Sequence, residues 1–314
     1  MSRVPLRDRT GALAATVRSG MSRATLSLFD HAPYPLEHTL DFPDDPGLLG
    51  PDSISWAVLA DVAAFVGGLR GLLIQAAHPE VVAGVEQHSR YRDDPFGRLS
   101  RTSAYVTATT YGAMPEVDQA VSQVRRIHRV VRGVSSRGVP YDAADPGYSA
   151  WVHNVLTDSF LHANQVYGGH PLSAADADRF VAEQTRIGAL LGADPMPETA
   201  VELRAWVTDH PEVAPSPAME DVVEFLADPP LSRGIKVGYS TLLEAAVAIT
   251  PERLRRTLGV RSRPGSRVVG KTAVATLRWA LGYSPSWALA LRRNGSALPE
   301  NTFRRTPHEE RAPT

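Results

Sequence analysis

Residues 55–77, SWAVLADVAAFVGGLRGLLIQAA, constrain the fold more than any other part of this 314-residue chain. The run is apolar almost throughout and long enough to cross a bilayer. Asp61 and Arg70 sit inside it, and each would cost roughly 3 kcal/mol near the bilayer centre. The run therefore reads as a buried core helix, predicted over residues 54–77, and the rest of the chain must wrap around it. The chain beyond residue 77 is also helical in pattern, with almost no strand alternation. Further helices are predicted over 79–87, 98–111, 116–132, 147–167, 173–191, 199–209, 217–227, 232–248, 251–258 and 271–281. Start signals agree: Ser173 and Thr199 suit N-cap positions, and Thr250-Pro251-Glu252 opens another helix. No repeat of 30–50 residues occurs, which argues against a solenoid.

The fold class expected is all-α, with one large helical domain over residues 45–290. An extended N-terminal arm, 1–44, holds several prolines and a possible helix near 11–29. A flexible, polar and Pro-rich tail is expected over 291–314. The N-terminus is a poor secretory signal, because its apolar run is short and arginines follow it. The expected compartment is the cytoplasm, with no membrane span. The sequence leaves the oligomeric state open, a homodimer included.

Composition narrows the chemistry. The chain has no cysteine, which excludes disulfides, thiolate metal sites and a cysteine nucleophile. The net charge of −1 argues against a nucleic-acid partner. Only Lys236 and Lys271 could supply an amine; the other 31 basic residues are arginines, which do not deprotonate. Residues 265–272, GSRVVGKT, match the phosphate-loop pattern letter for letter. No apolar strand precedes them and too little chain follows for a nucleotide-binding core, so a loop capping the helix from Thr272 is the better reading. Glu-x-x-His pairs, the His-Glu-x-x-His zinc motif and the Gly-x-Ser-x-Gly elbow are all absent. These absences point to an organic cofactor or to no enzyme.

The helix over 116–132 is the most informative segment. Val117, Val121, Val124, Ile127 and Val131 form one apolar stripe, and His128 falls within about 20° of Val117 at its centre. A lone histidine on an apolar face is more often a hydrogen-bonded core residue than a ligand. Arg125 and Arg132, three residues before and four after it, change the weighing. An axial haem ligand needs an imidazole in an apolar slot with cations for the two propionates. On the preceding helix Arg98, Thr102, Tyr105 and Thr109 share a face with Arg101 at its edge. That row could line an oxygen-binding pocket or be a partly exposed surface. Gly67, Gly68 and Gly71 on the core helix imply a close neighbour, either another helix or a flat macrocycle. Gln75 and His78-Pro79 close that helix. His153 lies at the border of its own apolar face, where a structural role is the default.

Four segments in order carry a resemblance: residues 68–79, GLRGLLIQAAHP; 98–102, RLSRT; 125–133, RRIHRVVRG; and Tyr141, Asp145-Pro146 and Trp151-Val152-His153. Over roughly residues 45–260 the chain resembles the MpaB-like and rubber-oxygenase family. The resemblance implies a globin-like helical fold around haem b, with His128 as the iron's proximal ligand. It implies dioxygen or peroxide as co-substrate and an apolar substrate, terpenoid, lipid-like or aromatic. Relatives include enzymes that cleave polyisoprene and one that cleaves a farnesyl side chain. Arg98, Arg101 and Thr102 would form the distal catalytic wall. Arg125, Arg132, His153, Tyr105 and Gln75 would be cofactor-binding. In the rubber oxygenases a lysine stands where this chain has Arg101, so lysine coordination of iron is not available here. Two other readings remain: a haem-binding or sensing protein without turnover, and a haem-free helical carrier of apolar ligands.

Overall fold

The computed structural model describes residue 20 and residues 31–89 and 93–297. The helix expected near 11–29 falls almost wholly outside the described residues, as does most of the expected tail. The described chain is all-α. Its helices are α1 (Ile54–Ala60), α2 (Ala63–Gln75), α3 (Pro79–His88), α4 (Pro95–Tyr111), α5 (Met114–His128), α6 (Pro146–Tyr167), α7 (Ala174–Ala189), α8 (Ala200–Asp209), α9 (Pro217–Ala227), α10 (Arg233–Ala248), α11 (Glu252–Thr257), α12 (Ser266–Leu281) and α13 (Pro285–Arg293). The one sheet among the described residues is an antiparallel hairpin of β1 (Arg132–Val134) and β2 (Pro140–Asp142). The expected capping residues act accordingly: Ser173 accepts the Asp176 N–H, and Thr199 forms a capping box with Glu202.

The apolar run is buried as expected, but it is not one helix. The chain turns by 91° between α1 and α2. Asp61 sits at the corner in extended backbone geometry and accepts the Ala63 N–H at 2.8 Å. The same carboxylate takes two bonds from Arg278 on α12, at 2.8 and 3.0 Å, and the Gly169 N–H at 3.1 Å. A charge placed mid-run cannot stay in a straight core helix unpaired, so the helix breaks where its partner stands. Among the described residues no single helix is long and apolar enough to cross a membrane.

Arg70 solves the same problem differently. It is fully buried, and its guanidinium bonds Asp158 at 2.6 Å and Ser159 at 2.7 Å, both on α6. Arg204 of α8 adds a second cation to Asp158 at 3.0 Å. The α2–α6 pair is thus pinned at the centre of the molecule. Apolar clusters surround it, with α7 and α8 against α6, α10 and α12 beyond α2, and α9 against α3 and α10. A fourth cluster joins Leu36 of the arm to Trp56, Tyr111 and Trp287. There α13 runs through Arg293, whose buried guanidinium bonds Thr39, Asp45 and Tyr111, so ordered chain extends past residue 290.

The close neighbour that the core glycines call for is a helix. A methyl group added at Gly67 would stand 2.8 Å from a Phe160 ring carbon and 3.0 Å from its Cα; at Gly71 it would meet Leu156 at 2.8 Å. Gly67→Ala is therefore expected to destabilise by about 1–3 kcal/mol in urea unfolding, although alanine is the better helix former. A neutral or stabilising result would mean that α2 and α6 can move apart.

The phosphate-loop string is helical: α12 starts at Ser266, not Thr272, and Gly265 precedes it at φ +84°. Thr272 bonds back to the Val268 carbonyl inside that helix. The Ser266, Val268 and Val269 amides already bond the Arg263 and Gly265 carbonyls.

Candidate active site

A large cavity of about 1170 Å³ opens beside α2. Leu69 and Leu72 of α2, Val81 and Val85 of α3, Leu156 and Phe160 of α6, Leu242 of α10 and Leu277 of α12 give it apolar walls. Residues 32–35 of the arm and 282–286, from the end of α12 into α13, close one side, tied by a 2.9 Å bond between the Tyr34 and Ser286 hydroxyls. Gly68 also lines it, and a methyl group there would meet nothing within 4 Å. The two neighbouring glycines thus face α6 while this one faces open space.

Polar groups enter from α4 and from the end of α2. Asp94 caps α4 by accepting the Gly97 N–H at 2.9 Å. Arg98 and Thr102, one turn apart, line the cavity, as does Gln75. Arg101 does not. It is half-exposed on the outer face of α4 and pairs with Asp94 at 3.3 Å. Thr109 turns its hydroxyl to the Tyr105 carbonyl of its own helix.

Tyr105 and His153 lie outside the cavity lining. The Tyr105 hydroxyl is buried and has no hydrogen-bond partner among the described residues, and burial raises its pKa. The Arg125 charge opposes that rise. Arg125 itself donates to the Leu190 carbonyl at 2.5 Å, just past α7. His153 packs on the same end of α7: a methyl at Gly188 would lie 2.9 Å from its Cδ2. Its Nε2 is buried without a partner among the described residues, and burial lowers its pKa to about 4.

His128 is the last residue of α5, not the middle of a longer helix. Arg132 is consequently off the helix: it opens β1 and pairs at the surface with Asp142 at 2.7 Å. The expected helical neighbourhood of His128 and Arg132 is overturned by that early stop. The apolar stripe is buried at Val117 and Val121 but uncovered at its far end, where Ile127 is 48% exposed. His128 is half-buried there, and burial alone lowers its pKa. It does not line the cavity. Val131, three residues on and past the end of α5, lies 3.7 Å from where a methyl on Gly84 of α3 would stand. Among the described residues no cluster of three or more His, Asp or Glu could hold a metal ion directly.

A family model described as ER-bound oxygenase mpaB/B'/rubber oxygenase, catalytic domain, matches residues 56–279. The chain belongs to this family. The match runs from α1 into α12 and takes in most of the cavity lining, α4 and His128. Two uncharacterized proteins, from Mycobacterium bovis and Mycobacterium tuberculosis, are each 32% identical over 127 residues, 38% of this chain and 48% of theirs. The chain spans about half the length of these curated relatives. No solved structure matches.

Arg98, Thr102 and the close approach at the α2 glycines were legible from spacing. The α3, α10 and α12 wall residues were not, because they carry the same periodicity as ordinary core. Asp158 did leave a signal, a carboxylate inside an apolar helix like Arg70 itself, and pairing the two would have placed α2 on α6.

Proposed function

We propose that this chain is a haem-b-dependent oxygenase that uses dioxygen or peroxide on an apolar small molecule of terpenoid, lipid-like or aromatic kind. The observation that carries this reading is His128. Burial lowers the pKa of its imidazole and so favours the neutral form, and its stripe ends uncovered beside it. A neutral imidazole keeps the lone pair that iron needs. An uncovered apolar stripe is the surface a flat macrocycle would lie against.

The other residues fit this group in part. Arg98 lines the cavity and supplies a cation there for a propionate, while Arg125, which donates to the Leu190 carbonyl, and the buried Tyr105 phenol lie outside the lining. Arg132 and Arg101 are held in surface pairs and contribute less than expected. When bound, haem would supply activation of dioxygen or peroxide. The chain's own residues do the rest. Arg98 and Thr102 offer hydrogen-bond donors at one end of the cavity. Val81, Val85, Leu156, Phe160, Leu242 and Leu277 bury an apolar chain, each Å² removed from water gaining about 25 cal/mol. They also exclude water from the reacting end.

A haem-free carrier of apolar ligands is the second reading, favoured by the absence of His128 from the cavity lining. Absorption spectroscopy separates the two. Protein expressed with ample haem is expected to show a Soret band, and, once reduced and given dioxygen with a terpenoid, to yield an oxygenated product. A colourless protein that still binds a fluorescent fatty acid would establish the carrier. A coloured one without product on any apolar substrate would make it a sensor.

A further inference from the structure

A second, smaller pit lies over His78, the histidine of the His78-Pro79 pair for which the cavity has no use. Its volume is about 350 Å³. It shares no lining residue with the large cavity. The floor is His78, 2% exposed, at the N-cap of α3. The walls are Tyr148 at the start of α6, Trp206 on α8 and His210 just beyond it. Asp209 and Glu212 stand at the rim, their side chains mostly open to solvent.

We propose that this pit is a second ligand site, separate from the cavity, that takes a compact organic cation of the alkylammonium class. Four rings close around it at contact distance. The His78 ring is 5.4 Å from Tyr148 and 5.6 Å from His210, and His210 is 4.6 Å from Trp206. Trp151, fully buried, backs both histidines at 5.6 and 4.8 Å and fixes the floor. Trp206 and Tyr148 line the pit, and rings of these types attract a cation through their quadrupole where a neutral ligand gains nothing electrostatic. Both imidazoles are kept uncharged by burial, His78 down to about 4, so neither repels a cation at neutral pH.

The surrounding charges agree. Glu80, Asp209 and Glu212 face two guanidiniums. Arg137 spans Glu80 and Glu212, and Arg253 lies 4.0 Å from Asp209. Neither arginine lines the pit, whereas two of the carboxylates do. One negative charge is therefore left over, at the rim. His78 Nδ1 lies 3.3 Å from Glu80 without a hydrogen bond, so the floor keeps a buried polar atom that no described protein group satisfies. The volume of about 350 Å³ is ample for a small organic cation.

The test is titration of the full chain with choline, followed by tryptophan fluorescence and calorimetry at constant ionic strength. Saturable binding is expected. Binding should be about tenfold weaker or more for the uncharged analogue in which carbon replaces the quaternary nitrogen. Trp206→Ala and Asp209→Asn should each weaken choline binding several-fold. If Trp206→Ala does not fold, Asp209→Asn decides, since its side chain is solvent-exposed and its melting temperature checks integrity. No saturation with choline, equal binding of the uncharged analogue, or undiminished binding by folded variants would overturn the proposal.

Discussion

Replacing His128 by alanine is expected to abolish the Soret band of haem-loaded protein while leaving the helical spectrum and the melting temperature almost unchanged. The combination follows from where the residue stands. His128 ends α5, is half-buried, and burial alone shifts its pKa, so folding asks little of it. Truncating it opens no core cavity. A change of at most about 0.5 kcal/mol is expected there. Iron coordination would be lost outright. The measurement is haem titration into wild type and variant, followed by absorbance, with free imidazole added afterwards to restore the band. His153→Ala is the control. That ring is packed between α6 and α7 against Gly188, so its loss should cost stability and leave or only weaken the band. If the two variants behave the other way round, His153 is the ligand and the reading of α5 fails.

The second large effect is structural. Asp158→Asn should destabilise the fold by about 3–5 kcal/mol, because it leaves the fully buried Arg70 guanidinium without a counter-charge. For a domain of this size that is a fall of about 10 °C in melting temperature. The pH dependence checks the cause. Burial alone would raise the Asp158 pKa, but the charges of Arg70 and Arg204 and the Arg70 hydrogen bond outweigh it and lower the pKa. A carboxylate with a lowered folded-state pKa contributes stability above its unfolded value and loses it as pH falls through the folded one. The gap between wild type and Asp158→Asn should therefore be full at neutral pH and narrow only in acid below the ordinary carboxylate range. A gap that does not change with pH would mean that packing, not charge, holds α2 to α6.

Much of the molecule was legible before any fold was known. Helix periods gave the all-α class and most element boundaries within a few residues. Capping residues located the starts of α7 and α8. The spacing of Arg98 and Thr102 put them on one face of α4, and both line the cavity, whereas Tyr105 and Thr109, expected on the same face, do not. Two readings failed for one physical reason. The run expected as a helix over 54–77 breaks at Asp61 because Arg278, 217 residues away, supplies the partner that holds the corner. The helix expected through Arg132 stops at His128 because β1 pairs with β2 and Arg132 finds Asp142. Local pattern cannot report a distant partner.

By itself the sequence determined the helical class, a core built on a run that needed partners for two charges, and the absence of any thiolate chemistry. It also singled out the one helix whose apolar stripe carries a histidine. Only the tertiary structure decided what covers each stripe. Gly67 and Gly71 face α6 while Gly68 faces open space, although all three read alike in the chain. Arg98 lines the cavity and Arg101, three residues on, points at Asp94. His78 joins three other rings into a pit that no spacing announces. Periodicity fixes which side of a helix is apolar, an intramolecular matter of 100° per residue. What that side meets depends on elements brought together over long sequence separations by burial, which has no direction and leaves no local mark.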